Sequence, residues 1–204
     1  MENWTQELDL TCAAPARITL PYMLYFIFFG VGGILTAPVI DRIGRLRSHW
    51  LFSTGHLLAQ ALCIFINNEI AHIIGYSMMG FFMGKNSLIF TWTFEFVTQR
   101  SKGCASTFIL ILDFCTPVIA GMFIMFVSRD WKIFMYPFFA IGALGFFIVS
   151  VLMPESPKWL LLQGRQEDAI RSLNFVARVN RSPSRIDQKA NFVEAAIAAN
   201  LDNN

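Results

Sequence analysis

Across its 204 residues the chain is 55% hydrophobic and 15% charged, with 21 Phe, a mean hydropathy of +0.50 and a net charge of +2. A soluble domain carries about 25% charged residues. The balance excludes an ordinary soluble domain and gives no sign of a nucleic-acid partner. It fits an all-α, polytopic helical membrane protein.

The N-terminal segment, residues 1–17, contains Glu2, Glu7 and Asp9. It lacks the basic start and short apolar core of a signal peptide, and its acidity argues against a transit peptide. Five apolar stretches then follow, near 18–40, 50–66, 70–94, 104–127 and 133–153. Each is long enough to cross a hydrocarbon core of about 30 Å as a helix. Pro21, Pro38, Pro117 and Pro137 fall within or at the edges of these spans, as membrane helices tolerate. One side of the membrane would hold Arg42, Arg45, Arg47, Arg100, Lys102 and the basic residues of the tail, the other only Arg17, Arg129 and Lys132. The excess of Lys and Arg predicts an N-terminus outside and a C-terminus in the cytoplasm, or in the matrix of a mitochondrial inner membrane. A plasma membrane suits the composition equally.

The pattern changes in the tail, residues 154–204. Ser156 followed by Pro157 is a helix start, a hydroxyl cap and then a proline at the first helical position. Gly164 is a helix stop. Residues 166–179 form an amphipathic helix, with Ile170, Leu173, Val176 and Ala177 on one face. Ser182-Pro183-Ser184 ends it, and Asp187 would cap a last helix. These helices read as a cap under the bundle, or as a surface for a partner or the membrane.

Two signatures stand out. Asp41-Arg42-Ile43-Gly44-Arg45-Leu46-Arg47 lies where the first span ends. Pro154-Glu155-Ser156-Pro157-Lys158-Trp159 through Gly164-Arg165 lies where the last one ends. The pair resembles the loop motifs of the major facilitator superfamily, in its sugar and organic-ion transporter branch. Of the first motif, Asp41, Arg42, Gly44 and Arg45 match, Ala37 replaces a glycine, and Leu46 a basic residue with Arg47 beside it. Gly44 suits a tight turn, and Asp41 could accept from helix amides or an arginine. In the family this loop looks like a latch. Glu95 through Arg100 resembles the inner end of the family's fourth span, with Gly80 and Gly84 at spacing for close helix packing and Tyr76 where the family carries arginine. Glu95 is expected to pair with Arg45 or Arg100. The tail from Gly164 points to the organic-ion branch. The resemblance implies spans two to six of a twelve-span bundle, a partial N-terminal half.

Lys85 and Asp113 are the ionisable residues deep within spans. Each lies nine residues from the proposed inner end of its helix, roughly 14 Å deep. A charge there costs about 2.5–3.5 kcal/mol on lenient scales. Matching depth suggests an ion pair; lining a polar cavity and meeting another subunit are the alternatives.

No Ser/His/Asp order, phosphate loop or metal-ligand spacing is present, so neither an enzyme nor a cofactor or metal is expected. Membrane lipids and other membrane subunits are the expected partners. The leading expectation is an accessory or structural subunit of a larger membrane complex, derived from a transporter half. The alternative is a component of a secondary transporter of organic ions or sugars whose missing helices come from a second chain, with alternating access about a midplane site.

Overall fold

The structure, a computed structural model, describes residues 4–97, 99–128 and 130–181. Among these residues nine α-helices run in order: α1 (Trp4–Glu7), α2 (Pro15–Ile43), α3 (Arg45–Phe65), α4 (Glu69–Phe82), α5 (Lys85–Phe96), α6 (Lys102–Phe126), α7 (Trp131–Leu152), α8 (Pro157–Leu162) and α9 (Gln166–Val179). A 3-10 turn, Gln99–Ser101, leads into α6. The architecture is all-α, as the composition predicts. The expected last helix after Asp187 lies outside the described residues.

Among the described residues three helices are long and apolar enough to cross a membrane: α2, α7, and α6 with its leading turn. The other two expected spans differ in physical character. Helix α3 has 21 residues and a polar content that turns inward, for Ser48, His49 and Ser53 are all buried. The expected third span is divided. Its helix stops at Phe82 and restarts at Lys85, because Gly84 presses against α2 at the turn: a Cβ there would lie 2.2 Å from Thr36 Oγ1 and 2.9 Å from the Gly32 carbonyl oxygen.

Helix α2 packs most intimately on α4, and α3 on α4 and α7. The α2–α4 seam is backbone against backbone. A Cβ at Gly80 would sit 2.2 Å from the Tyr25 carbonyl oxygen, and one at Gly32 2.2 Å from that of Phe81. Such small residues drive helix association in a membrane, where apolar side chains gain nothing by leaving lipid. Ile40, Phe52 and Leu88 form the apolar centre between α2, α3 and α5. By contrast the apolar stretches of α6 and α7 bury none of their residues fully, and Phe108, Phe114, Met125 and Phe147 are among the exposed side chains. Apolar surface on this scale calls for lipid or protein cover.

Two polar clamps close the end of the bundle that holds the α3–α4 connection. Arg17, at the start of α2, meets the Glu69 carboxylate with both fork nitrogens at 2.6 and 2.5 Å, and this pair holds the Glu69 pKa below the usual carboxylate range. Glu7 of α1 joins Lys132 and the Trp131 indole of α7. The opposite, basic end carries the candidate site.

Candidate functional site: a charged latch at the basic end of the bundle

The site begins with a turn. Helix α2 ends at Ile43 and α3 starts at Arg45, leaving Gly44 alone between them with φ 96° and ψ 167°, a conformation open essentially only to glycine. So short a turn leaves the first amides of α3 without intrahelical partners. Glu155 fills the gap. Its Oε1 accepts from the backbone N–H of Arg45 at 2.8 Å, of Leu46 at 3.2 Å and of its own neighbour Ser156 at 2.9 Å. A carboxylate at a helix N-terminus meets both unpaired donors and the positive end of the helix dipole.

Arg45 then turns inward. Its Nη2 and Nε donate to the two carboxylate oxygens of Glu95 at 2.9 and 3.2 Å, and its Nη1 donates to Asp41 Oδ1 at 3.1 Å and the Ile40 carbonyl at 3.3 Å. The Arg45 and Glu95 side chains are each only 7% exposed, whereas Asp41 is 72% exposed. The fork geometry is the strong, two-point form of the arginine–carboxylate bond. One guanidinium thus ties the end of α2, the start of α3 and the end of α5.

The tail locks on from below. Ser156 caps α8 by accepting from the Trp159 N–H at 3.2 Å, with Pro157 at the first position. The Trp159 indole donates to the Asp41 carbonyl at 2.8 Å, satisfying the end of α2. Ser172 of α9 donates to the Glu155 carbonyl at 2.7 Å, and Trp159, Leu160 and Ala169 form a small apolar cluster beneath.

Of the two partners expected for Glu95, Arg45 takes it, and Arg100 stands exposed on the 3-10 turn. Arg42, Arg47 and Lys158 are exposed, and Arg165 pairs with Asp168 on α9. Pro154 borders a groove beside Arg47, and Gly164, at φ 72°, ends α8 as expected. Asp41 does not take the helix amides; Glu155 holds them. The roles of Glu155, Trp159 and Ser172 as partners of the first loop were not visible in the sequence, since 110 residues separate Glu155 from Arg45.

Lys85 and Asp113 are not brought together. Lys85, the first residue of α5, lines a cavity with His49, His56, Gln60 and Phe138. Asp113 is exposed on α6, and no ion pair joins them. Matching depth along the sequence did not make them partners: one lines a cavity and the other is exposed.

The family model described as "Sugar (and other) transporter" matches residues 5–203. The chain belongs to this family. The expected kinship with the sugar and organic-ion branch is thereby shown. Solute carrier family 22 member 6-A of Xenopus laevis is 28% identical over 85% of this chain and 31% of its own length. The carcinine transporter of Drosophila melanogaster is 34% identical over 85% of this chain and 26% of its own. Organic cation transporter 1 of Caenorhabditis elegans is 23% identical, with 88% and 31% covered. The chain thus spans about a third of the length of such relatives, which are named as transporters or solute carriers rather than enzymes.

Proposed function

We propose that this chain provides part of the membrane-spanning bundle of a secondary transporter for small organic ions, and that the Arg45 cluster is the latch holding one end of the bundle closed. The observation that carries this reading is the buried, two-point Arg45–Glu95 pair, joined through Glu155 to the tail. Alternating access needs an element with a closed form stabilised by contacts that the open form gives up. A charge cluster at one end of a seam between four segments is such an element. The names of the relatives supply the substrate class.

In this reading α2, α3, α4 with α5, α6 and α7 make five crossings. The basic end, with Arg42, Arg45, Arg47, Arg100 and Lys102, faces the cytoplasm. Lipid and further transporter helices cover the bare sides of α6 and α7. An accessory subunit of a membrane complex would keep the fold without needing a latch that opens, and no feature of the site favours it.

The test is tracer uptake in cells displaying the chain together with the transporter helices that complete its bundle, using a quaternary ammonium ion and an aromatic carboxylate. The reading expects saturable uptake of one of them. Asp41→Asn, at a position exposed enough to leave folding intact, should change the uptake rate severalfold at equal surface amount. Normal surface display with no uptake of either tracer, and stable comigration with several other subunits, would replace this reading by the accessory one.

A further inference from the structure

We infer that the cavity between α3, α5 and α7 is a binding site for an organic monoanion, a carboxylate carried on an apolar body, with Lys85 as its counter-ion. This site is separate from the latch, and the inference stands whether or not the chain transports.

Three observations converge. The cavity is an open-sided cleft of about 320 Å³, at the lower end of the range for small-molecule sites. Its polar wall is made of donors without an acid. Lys85, His49, His56 and Gln60 line it, and among the described residues no carboxylate lies within ion-pair distance of Lys85. Ionisable residues within a membrane bundle are otherwise nearly always paired. Finally, imidazole nitrogens at this wall lack partners. His49 is 7% exposed, its Nδ1 faces the Ser53 hydroxyl at 3.3 Å, and its Nε2 has no hydrogen bond. His56 Nδ1 is likewise buried without one. Buried polar atoms are seldom left so unless something else satisfies them.

Ile89 and Phe146 supply apolar lining. A carboxylate would accept from the Lys85 ammonium while its apolar body lies along the aromatic side. A neutral ligand leaves the ammonium uncompensated, and a cation is repelled.

Such an anion can arrive from water or from the bilayer, so two probes separate the sources. The experiment is equilibrium binding of radiolabelled benzoate and of radiolabelled dodecanoate to the full chain purified in detergent, with dodecanol as the uncharged control. Saturable one-to-one binding of either carboxylate is expected, benzoate indicating an aqueous source and dodecanoate a lipid one. Lys85→Met should weaken it about ten- to hundred-fold, the range for a hydrogen bond to a charged group. The same change should leave the unfolding temperature equal or higher, since it removes an unpaired charge. Lys85→Arg should bind within a few-fold of the unaltered chain. Gly142→Leu fills the cavity while keeping the ammonium, because a Cβ at Gly142 has only Leu57 Cδ2 near it, at 3.6 Å. This variant should abolish binding, and it carries the test alone if Lys85→Met is not recovered folded. The inference is overturned if neither carboxylate binds saturably, if dodecanol competes as well as dodecanoate, or if binding survives both Lys85→Met and Gly142→Leu. Each result concerns binding alone, so it is distinguishable from a failure of uptake.

Discussion

Gly44 shows how much one residue decides at the latch. The peptide reverses from α2 to α3 through this single position, at a φ that side chains resist, and the space where a Cβ would sit is taken by Glu155 Oε2 at 2.6 Å and by the Trp159 ring at 3.2 Å. An alanine there meets both a backbone penalty and a steric one, and displaces the carboxylate that caps α3. Gly44→Ala should lower stability by about 1–3 kcal/mol, the cost of a strained backbone position, seen as a reduced unfolding temperature in detergent. The glycine of this turn was legible from the motif alone. The capping carboxylate was not, because local sequence specifies that a helix start needs acceptors without saying which distant residue supplies them.

Among the elements, the α2–α4 seam sets how close the bundle can come. Gly80→Ala puts a methyl 2.2 Å from the Tyr25 carbonyl oxygen, so two backbones must part. A loss of about 1–3 kcal/mol is expected from such overpacking. Gly33→Ala is the internal comparison, since a Cβ there meets nothing within 4 Å. It should be neutral or stabilising by up to about 1 kcal/mol through helix propensity. Thermal unfolding of the two variants side by side checks the contrast. The Gly80 and Gly84 spacing announced close packing. The interruption at Met83–Gly84 was hidden, since the apolar run continues through it unbroken. The Lys85 and Asp113 expectation shows the same limit: counting residues gives depth, but a helix apolar all round carries no periodic signal to say which way a charge faces. The tail was more readable, because polar and apolar residues alternate there. Ser156-Pro157, Gly164 and the 166–179 repeat mark helix bounds that the structure reproduces within a residue or two.

At the scale of the whole molecule, the bare apolar sides of α6 and α7 and the concentration of arginine at one end make a membrane orientation testable. Cys12 and Cys104 are both exposed free thiols. Cys12 lies before α2, and Cys104 lies in the first turn of α6 near the basic end. In the proposed orientation a membrane-impermeant maleimide added to intact cells should label Cys12 and spare Cys104, and permeabilised cells should label both. Labelling of Cys104 alone from outside would invert the topology. The membrane class was legible from composition because hydrophobic content is a sum over the chain. How the separate helices gather four segments around one arginine is a property of the packed bundle.

The most direct measurement is a double-mutant cycle on Arg45 and Glu95, read by thermal unfolding of the purified chain. Each single alanine substitution strands a buried charge and should cost about 3–5 kcal/mol. The double variant should cost little more than the worse single one, a coupling of about 3 kcal/mol or more, at or above the top of the range seen for contacting residues. Additive losses, or single substitutions that leave stability unchanged, would contradict the latch.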